Sequence, residues 1–304
     1  MLFHDLIDLI TDVIVLLVKI ISAYVESVVT VIINVPKKDV RNQVIVITGA
    51  GHGLGAEMAR MFAKLGARLA LIDINQENNE RVVEEIKESG GQAFAYCCDI
   101  TNEESIAEIA KQIQWDLGDV DILINNAGIV QCLPIESLDS KNIKRTFEVN
   151  TFAHFWTIRH YLPKMVSRGT GHIVAVSSIA GLIGTAHLVD YWYIYFDKKI
   201  FYLIYKLFKT ISASKFAIVG LMEALEMELR QNKANDGIKL TTICPLAMTT
   251  GMFKKPKSRF SWIFPVIDAR YVAKETVNAV LRNQTLITVP KSALAFYGIG
   301  KCLV

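Results

Sequence analysis

From Gln43 onward, short apolar runs alternate with amphipathic stretches. Gln43–Thr48 reads QVIVIT, a β-branched run suited to a strand buried on both faces. A helical pattern covers Ala56–Leu65. Arg68–Ile72 predicts the next strand, Gln92–Cys98 another, Glu103–Leu117 a helix and Asp121–Asn125 a strand. A long helix before Met165 and a strand over Gly171–Ser177 come next. Strands alternating with helices predict an α/β chain with a doubly wound parallel sheet. Neither an internal repeat nor a Pro/Gly/Ser linker divides it, so residues 37–290 read as one domain.

The first 36 residues have a different pattern, with Ile, Val and Leu dominant. Asp5, Asp12, Lys19 and Glu26 are spaced seven apart, and Asp8 stands four before Asp12. On a helix, all five charges fall within a sector of roughly 60°. A uniform transmembrane span has no use for such a stripe; an amphipathic helix lying in the lipid interface, or a shallow hairpin, does. The acidic start argues against a secretory signal peptide. Pro36-Lys37-Lys38 ends the segment, and basic residues there favour the cytosolic side for the domain beyond them. The expectation is a membrane-anchor helix over 1–36. A buried core helix is the alternative, though one rarely needs so wide an apolar arc.

Composition sharpens this picture. In 304 residues, 52% are apolar, mean hydropathy is +0.32 and net charge is +3. The hydropathy is high for a soluble protein and agrees with a membrane-associated segment. The charge is too balanced for disorder, and Lys and Arg are too scattered for a nucleic-acid footprint. Cys97, Cys98, Cys132, Cys244 and Cys302 show neither metal spacing nor a disulfide framework, so reduced thiols and no metal are expected.

The candidate chemistry begins at Thr48-Gly49-Ala50-Gly51-His52-Gly53-Leu54-Gly55, between the first strand and a helix. Glycines there let the turn close and a dinucleotide backbone approach. The helix start supplies free N–H groups for a pyrophosphate. Asp73, ending the next strand, suits the ribose hydroxyls of NAD and repels the 2′-phosphate of NADP. His52 reads as a solvated loop residue that would soften this preference if protonated. This context predicts a Rossmann-type fold.

The chain resembles the short-chain dehydrogenase/reductases from about Val44 to about Pro290. Thr48–Gly55 fits the family's TGxxxGxG turn, with Gly49, His52, Gly53, Leu54 and Gly55 at the cofactor. Asp99, with Ile100 beside it, fits the acidic position that contacts adenine. Asn125-Asn126-Ala127-Gly128 is its NNAG run. Asn150 fits the structural and proton-relay Asn, and Ser178 the substrate-orienting Ser. Tyr191 comes after Ser178 by the usual thirteen residues. Pro245 and Thr250 fit the segment closing over the nicotinamide. "VITGAGHGLG", "DIN", "FEVN", "HFW" and "CPLAMTTGMF" look most like the membrane- and lipid-droplet-associated epidermal retinol dehydrogenases and 17-beta-hydroxysteroid dehydrogenases. Leu246 departs from a Gly that often comes after the family's Pro, and the chain stops at Val304 where that branch continues with apolar sequence.

The resemblance implies an NAD-dependent oxidoreductase, NADP being disfavoured, acting on a lipophilic alcohol or its carbonyl of the retinoid or steroid type. It implies the endoplasmic reticulum membrane or a lipid-droplet surface, a domain facing the cytosol and a homodimer, with no nucleic-acid partner. It also makes Tyr191 the base, Ser178 the anchor of the substrate oxygen, Asn150 the support of a water relay and Lys215 the partner lysine. A tyrosine near its free pKa of about 10 is a poor base at neutral pH. A nearby ammonium stabilises phenolate and lowers that pKa. Taken singly, Ser178 reads equally well as a strand-end turn and Tyr191 as a surface aromatic; order and spacing favour the site.

Between Tyr191 and Lys215 the pattern breaks. They are separated by 24 positions, where the family has four. Residues 192–212 hold eight of the 28 aromatics, and Lys198, Lys199, Lys206 and Lys209 against Asp197 account for the whole net charge. Three readings compete. The segment is a membrane-dipping insertion, or the tyrosine is lost and the chain is a pseudoenzyme, or the segment is a translated intron. The third is favoured. Trp192-Tyr193 reads TG|GTA, a GT donor, and Ile211-Ser212 can read ATT-AG|T, an AG acceptor. Excision leaves Asp190-Tyr191-Cys-Ala213-Ser214-Lys215, an uninterrupted motif. The chain as written is then expected to be inactive or strongly impaired, with its helix restarting near Ser212.

Overall fold

The computed structural model describes residues 35–130, 138–182, 209–246, 248–249, 267–291 and 293. Met1–Lys38 and Asp39–Val304 form separate compact units, and the fold is that of the second. The anchor expected over 1–36 lies, but for its last two residues, outside the described residues, as do Tyr191, Thr250 and the tail beyond 293. Among the described residues no helix is long and apolar enough to cross a membrane, and no cluster of side chains suits a metal ion.

Seven parallel strands form the sheet: β1 (Val44–Thr48), β2 (Arg68–Asp73), β3 (Gln92–Cys97), β4 (Ile122–Asn125), β5 (Gly171–Val176), β6 (Ile238–Pro245) and β7 (Leu286–Val289). Their order is β3-β2-β1-β4-β5-β6-β7. The strand VIVIT is buried at every position, and its alternation feeds two cores. Ile45 and Ile47 pack with Met58, Ala59 and Phe62 of α1 (Gly53–Lys64) and with Val272 and Val280 of α7 (Ala269–Leu281). Val44 and Val46 pack on the other face with Ile113 of α3 (Glu103–Leu117), Met165 of α5 (Ala153–Arg168) and Ile218 of α6 (Lys209–Leu229). Each fully buried Ile, Met or Phe contributes on the order of 1.5–3 kcal/mol. Helix α2 (Gln76–Glu88) completes the first layer with Val82, Val83 and Ile86.

The doubly wound parallel sheet expected from the sequence is therefore present, with element ends shifted by a residue or a turn. Cys98 and Ser177 fall just past their strands, and α1 starts at Gly53 rather than Ala56. Glycine's poor helix propensity hid that first turn. Helix α6 begins at Lys209, a turn earlier than expected, so Lys209–Ser212 belong to the helix of Lys215. Nothing in Lys209-Thr210-Ile211 breaks a helix, so the tertiary contacts of the downstream turns carry it backwards.

Strand order reverses about β1, which pairs with β2 on one side and β4 on the other. Clefts for ligands open at the carboxyl ends of strands at such a switch point. Thr48, Asp73, Asn125, Val176 and Pro245 end their strands along that edge.

Candidate active site

At the β1–α1 turn, Gly49 has φ +65° and Gly53 φ +57°, a region that L side chains avoid. A Cβ on Gly49 would lie 2.8 Å from Ala127 Cα, and one on Gly55 would collide with the Gly49 carbonyl oxygen. Helix α1 begins behind His52, which makes no side-chain cap bond, and its first turn holds no acidic residue. Its N–H groups and dipole are thus left for an anion. His52 is exposed, as a loop histidine should be, whereas Leu54 is buried in the core.

Asp73 is buried at the tip of β2. Its Oδ2 accepts from Gly51 N–H at 2.8 Å and its Oδ1 from Asn75 N–H at 2.9 Å. These bonds fix the carboxylate beside the glycine turn. Asp99 accepts from the Thr101 N–H and hydroxyl at 3.0 and 2.7 Å, and pairs with Arg145 at 3.1 Å. Ile100 next to it packs against the second core.

The end of β4 is tied to the glycine turn. Thr48 Oγ1 accepts from Asn126 and Ala127 N–H at 3.0 and 3.1 Å, and Asn126 Nδ2 donates to the Thr48 and Gly49 carbonyls at 2.9 and 3.1 Å. A Cβ on Gly128 would stand 3.3 Å from Asn150 Oδ1 and 3.6 Å from Lys215 Nζ. Gly128 therefore lets the backbone after β4 pack closely against these two side chains. The glycine turn and the uncapped helix start together suit a dinucleotide.

Asn150 sits in a π-turn, Glu148–Phe152, between α4 (Ser140–Phe147) and α5. Such bulges redirect a side chain and cluster at functional sites. Its Oδ1 accepts from Ile129 N–H at 2.8 Å, while Nδ2 donates to the Ile129 carbonyl at 3.0 Å and to Ser214 Oγ at 3.2 Å. Thr151 Oγ1 donates to the Ser214 carbonyl at 3.1 Å. Ser178 lies just past β5 and donates to the Pro245 carbonyl at 3.3 Å. Ser177 donates to the Lys215 carbonyl at 2.9 Å.

Lys215 is buried, and its ammonium donates to the Val176 carbonyl at 2.8 Å. Burial pulls its pKa down from 10.5 to about 8, against a smaller opposing influence from Cys244. Burial pushes the Cys244 thiol up to about 12, with the Lys215 charge pulling the other way. A lysine so placed is poised to stabilise an anion brought beside it.

The structure thus gathers Asn150, Ser178, Lys215, Gly128 and Pro245 at one end of the sheet, with the turn at Gly49–Gly55, Asp73 and Asn126-Ala127 along the adjoining cleft. Tyr191 and Thr250 lie outside the described residues. One helical turn before Lys215, where the family's motif puts the tyrosine, α6 has Ile211. Sequence reasoning gave no individual role to Thr48, Thr151 or Ser214. Thr48 and Ser214 lie inside family motifs, which was the available signal; Thr151 and the Val176 carbonyl gave none.

The family model described as short chain dehydrogenase matches residues 43–192. Among curated relatives, short-chain dehydrogenase/reductase family 16C member 6 of Bos taurus is 35% identical, over 93% of this chain and 84% of that one. Epidermal retinol dehydrogenase 2 of Mus musculus is 35% identical over 92% and 84%, and 17-beta-hydroxysteroid dehydrogenase 13 of Homo sapiens 35% over 97% and 91%. Among solved structures, a short chain dehydrogenase/reductase from Burkholderia phymatum in complex with NAD superposes with TM-score 0.71 at 23% identity, covering 86% of this chain and 93% of that one. A metagenomic short-chain oxidoreductase in complex with NADP gives 0.63 at 26%, covering 83% and 97%. The chain belongs to the short-chain dehydrogenase/reductase family, in the branch of the epidermal retinol and 17-beta-hydroxysteroid dehydrogenases.

Proposed function

We propose that the protein's catalytic form is an NAD-dependent oxidoreductase interconverting a lipophilic alcohol, of the retinol or 17-beta-hydroxysteroid type, and its carbonyl. The observation that carries this is the convergence of Asn150 Oδ1 and Lys215 Nζ on Gly128 at the carboxyl edge of the sheet, where Ser178 also lies just past β5. When bound, the nicotinamide supplies the hydride acceptor or donor. Gly49–Gly55 and the start of α1 hold the pyrophosphate. Asp73 takes the adenosine ribose hydroxyls and, as a fixed carboxylate, repels a 2′-phosphate. Ser178 orients the substrate oxygen. Lys215 lowers the pKa of a tyrosine one turn before it, and Asn150 holds the water that passes the proton outward.

The retinoid and steroid classes rest on the relatives' names, and the amphipathic pattern of residues 1–36 supports a bilayer or lipid-droplet surface as their source. On this reading the protein works at the endoplasmic reticulum membrane or a lipid droplet, with its catalytic domain facing the cytosol. Phe152, Phe155 and Phe216, exposed on neighbouring elements, supply apolar surface for the homodimer that the family suggests.

A second reading, that the chain as written is catalytically impaired, is favoured by α6 itself. With the helix running from Lys209, Ile211 occupies the tyrosine's backbone position. A tyrosine 24 positions before Lys215 does not share that register, and a misplacement of about 1 Å costs roughly a hundredfold in rate. Fluorescence titration with NADH, paired with all-trans-retinol and estradiol turnover, separates the readings. Turnover with NAD supports the first. NADH binding without turnover supports impairment, and absence of binding contradicts both.

A further inference from the structure

Helix α5 carries a buried side chain that the proposed reaction does not use. His154, one turn after Asn150, is 2% exposed. Neither ring nitrogen has a hydrogen-bond partner among the described residues. Burial, and secondarily the Lys215 charge, bring its pKa down to about 3, so the ring is neutral, with one donor and one acceptor to satisfy.

A second orphan lies close by. Asn125 Oδ1 accepts from Thr157 Oγ1 at 2.9 Å, and the same hydroxyl lies 3.0 Å from the His154 carbonyl oxygen. Asn125 Nδ2 is buried and also without a partner. His154 and Thr157, three apart on α5, share a helix face, so the buried imidazole and the buried donor amide bonded to Thr157 make a polar lining of the kind that holds an internal water. A dry cavity would instead be apolar.

We propose that His154 is a positioning residue that shares one buried water with Asn125. The bridged pair ties α5 to β4, fixes the π-turn that carries Asn150, and gives Lys215 a polar neighbour on its inner side. The inference rests on Asn150 and Lys215 being site residues, but not on the chain's turning over. Asn150 on Ile129 and Thr151 on Ser214 already hold the π-turn itself. The bridge adds a hold at the first turn of α5. An imidazole suits the place because it stays neutral there, whereas a second cation facing Lys215 would repel it.

The test uses the full chain and two readouts that need no turnover. A crystal structure at about 1.5 Å resolution should show a water within hydrogen-bond reach (about 2.7–3.2 Å) of a His154 ring nitrogen and of Asn125 Nδ2. NMR of [13Cε]-lysine protein, with Lys215→Arg to assign the signal, should place the Lys215 midpoint well below that of the exposed lysines. His154→Leu should lower that midpoint by ~1 unit, because an apolar wall disfavours the ammonium. His154→Gln, which keeps a donor and an acceptor, should return it to the parent value. No shared water, an unmoved midpoint in His154→Leu, or the same shift in the Gln variant overturns the proposal. If the Leu variant does not fold, the crystal structure and a parent-like midpoint in the Gln variant decide it by themselves. If the chain with residues 192–212 replaced by a single Cys stays catalytically dead while the full chain passes both readouts, the dehydrogenase reading is refuted and this one stands.

Discussion

Asn150 engages both backbone groups of Ile129, accepting from its N–H at 2.8 Å and donating to its carbonyl at 3.0 Å. One amide thus replaces a strand partner where β4 has run out. Asn150→Ala removes that partner from both partly buried backbone groups. It should lower stability by roughly 1–3 kcal/mol, the sum of two net hydrogen bonds. Urea unfolding monitored by far-UV circular dichroism checks this. An unchanged midpoint means that the bonds to Ile129 do not matter.

On the proposed reading, cofactor choice turns on Asp73. Its carboxylate is held by Gly51 and Asn75 and cannot swing away from a 2′-phosphate without losing both bonds. Asp73→Ser should shift the ratio of NADH to NADPH affinity toward NADPH by at least about tenfold, ~1.4 kcal/mol. Fluorescence titrations with each cofactor measure it, and an unmoved ratio removes Asp73 as the selector.

Lys215 makes stability depend on alkaline pH, with a defined sign. Its pKa is about 8 in the fold and 10.5 when exposed. Between these values the unfolded chain binds more protons, so stability rises with pH across that window. Below it, the full cost of burying the ammonium is present. Lys215→Met should therefore stabilise the cofactor-free protein at pH 7, by on the order of 2 kcal/mol after the lost Val176 bond is counted. The advantage should fade as pH climbs from 8 to 10.5. Thermal unfolding of both proteins across that range tests the sign.

The register of α6 yields a direct gain-of-function expectation. Because Ile211 precedes Lys215 by one turn of an unbroken helix, Ile211→Tyr puts a phenol at the motif's position without removing any residue. It should raise NAD-dependent oxidation of all-trans-retinol by tenfold or more over the parent, ~1.4 kcal/mol of barrier. Equal rates would show that the helix register is not what limits the chain.

Much of this architecture was readable because its causes are local. Glycines mark the β1–α1 turn, β-branched runs mark strands buried on both faces, and fixed spacings brought Asn150, Ser178 and Lys215 into one expected site. What escaped sequence reading depends on contacts between distant elements. The Val176 carbonyl leaves no side-chain signature, and the π-turn at Glu148–Phe152 depends on how α5 and α6 pack. His154 stood in a family motif, but only the fold shows its ring buried without partners. The start of α6 was misplaced because residues 192–212 were treated as one foreign block, whereas their last four residues are helical. Tyr191 lies outside the described residues, so its place rests on spacing alone.

The central claim is that residues 192–212 separate a tyrosine from the lysine it needs. The most direct measurement compares the full chain with one in which those residues are replaced by a single Cys, assayed side by side for NADH formation from all-trans-retinol and estradiol. The account predicts little or no turnover by the full chain and at least a hundredfold more by the shortened one, with NADH affinity alike in both. Equal turnover by the two proteins would contradict it.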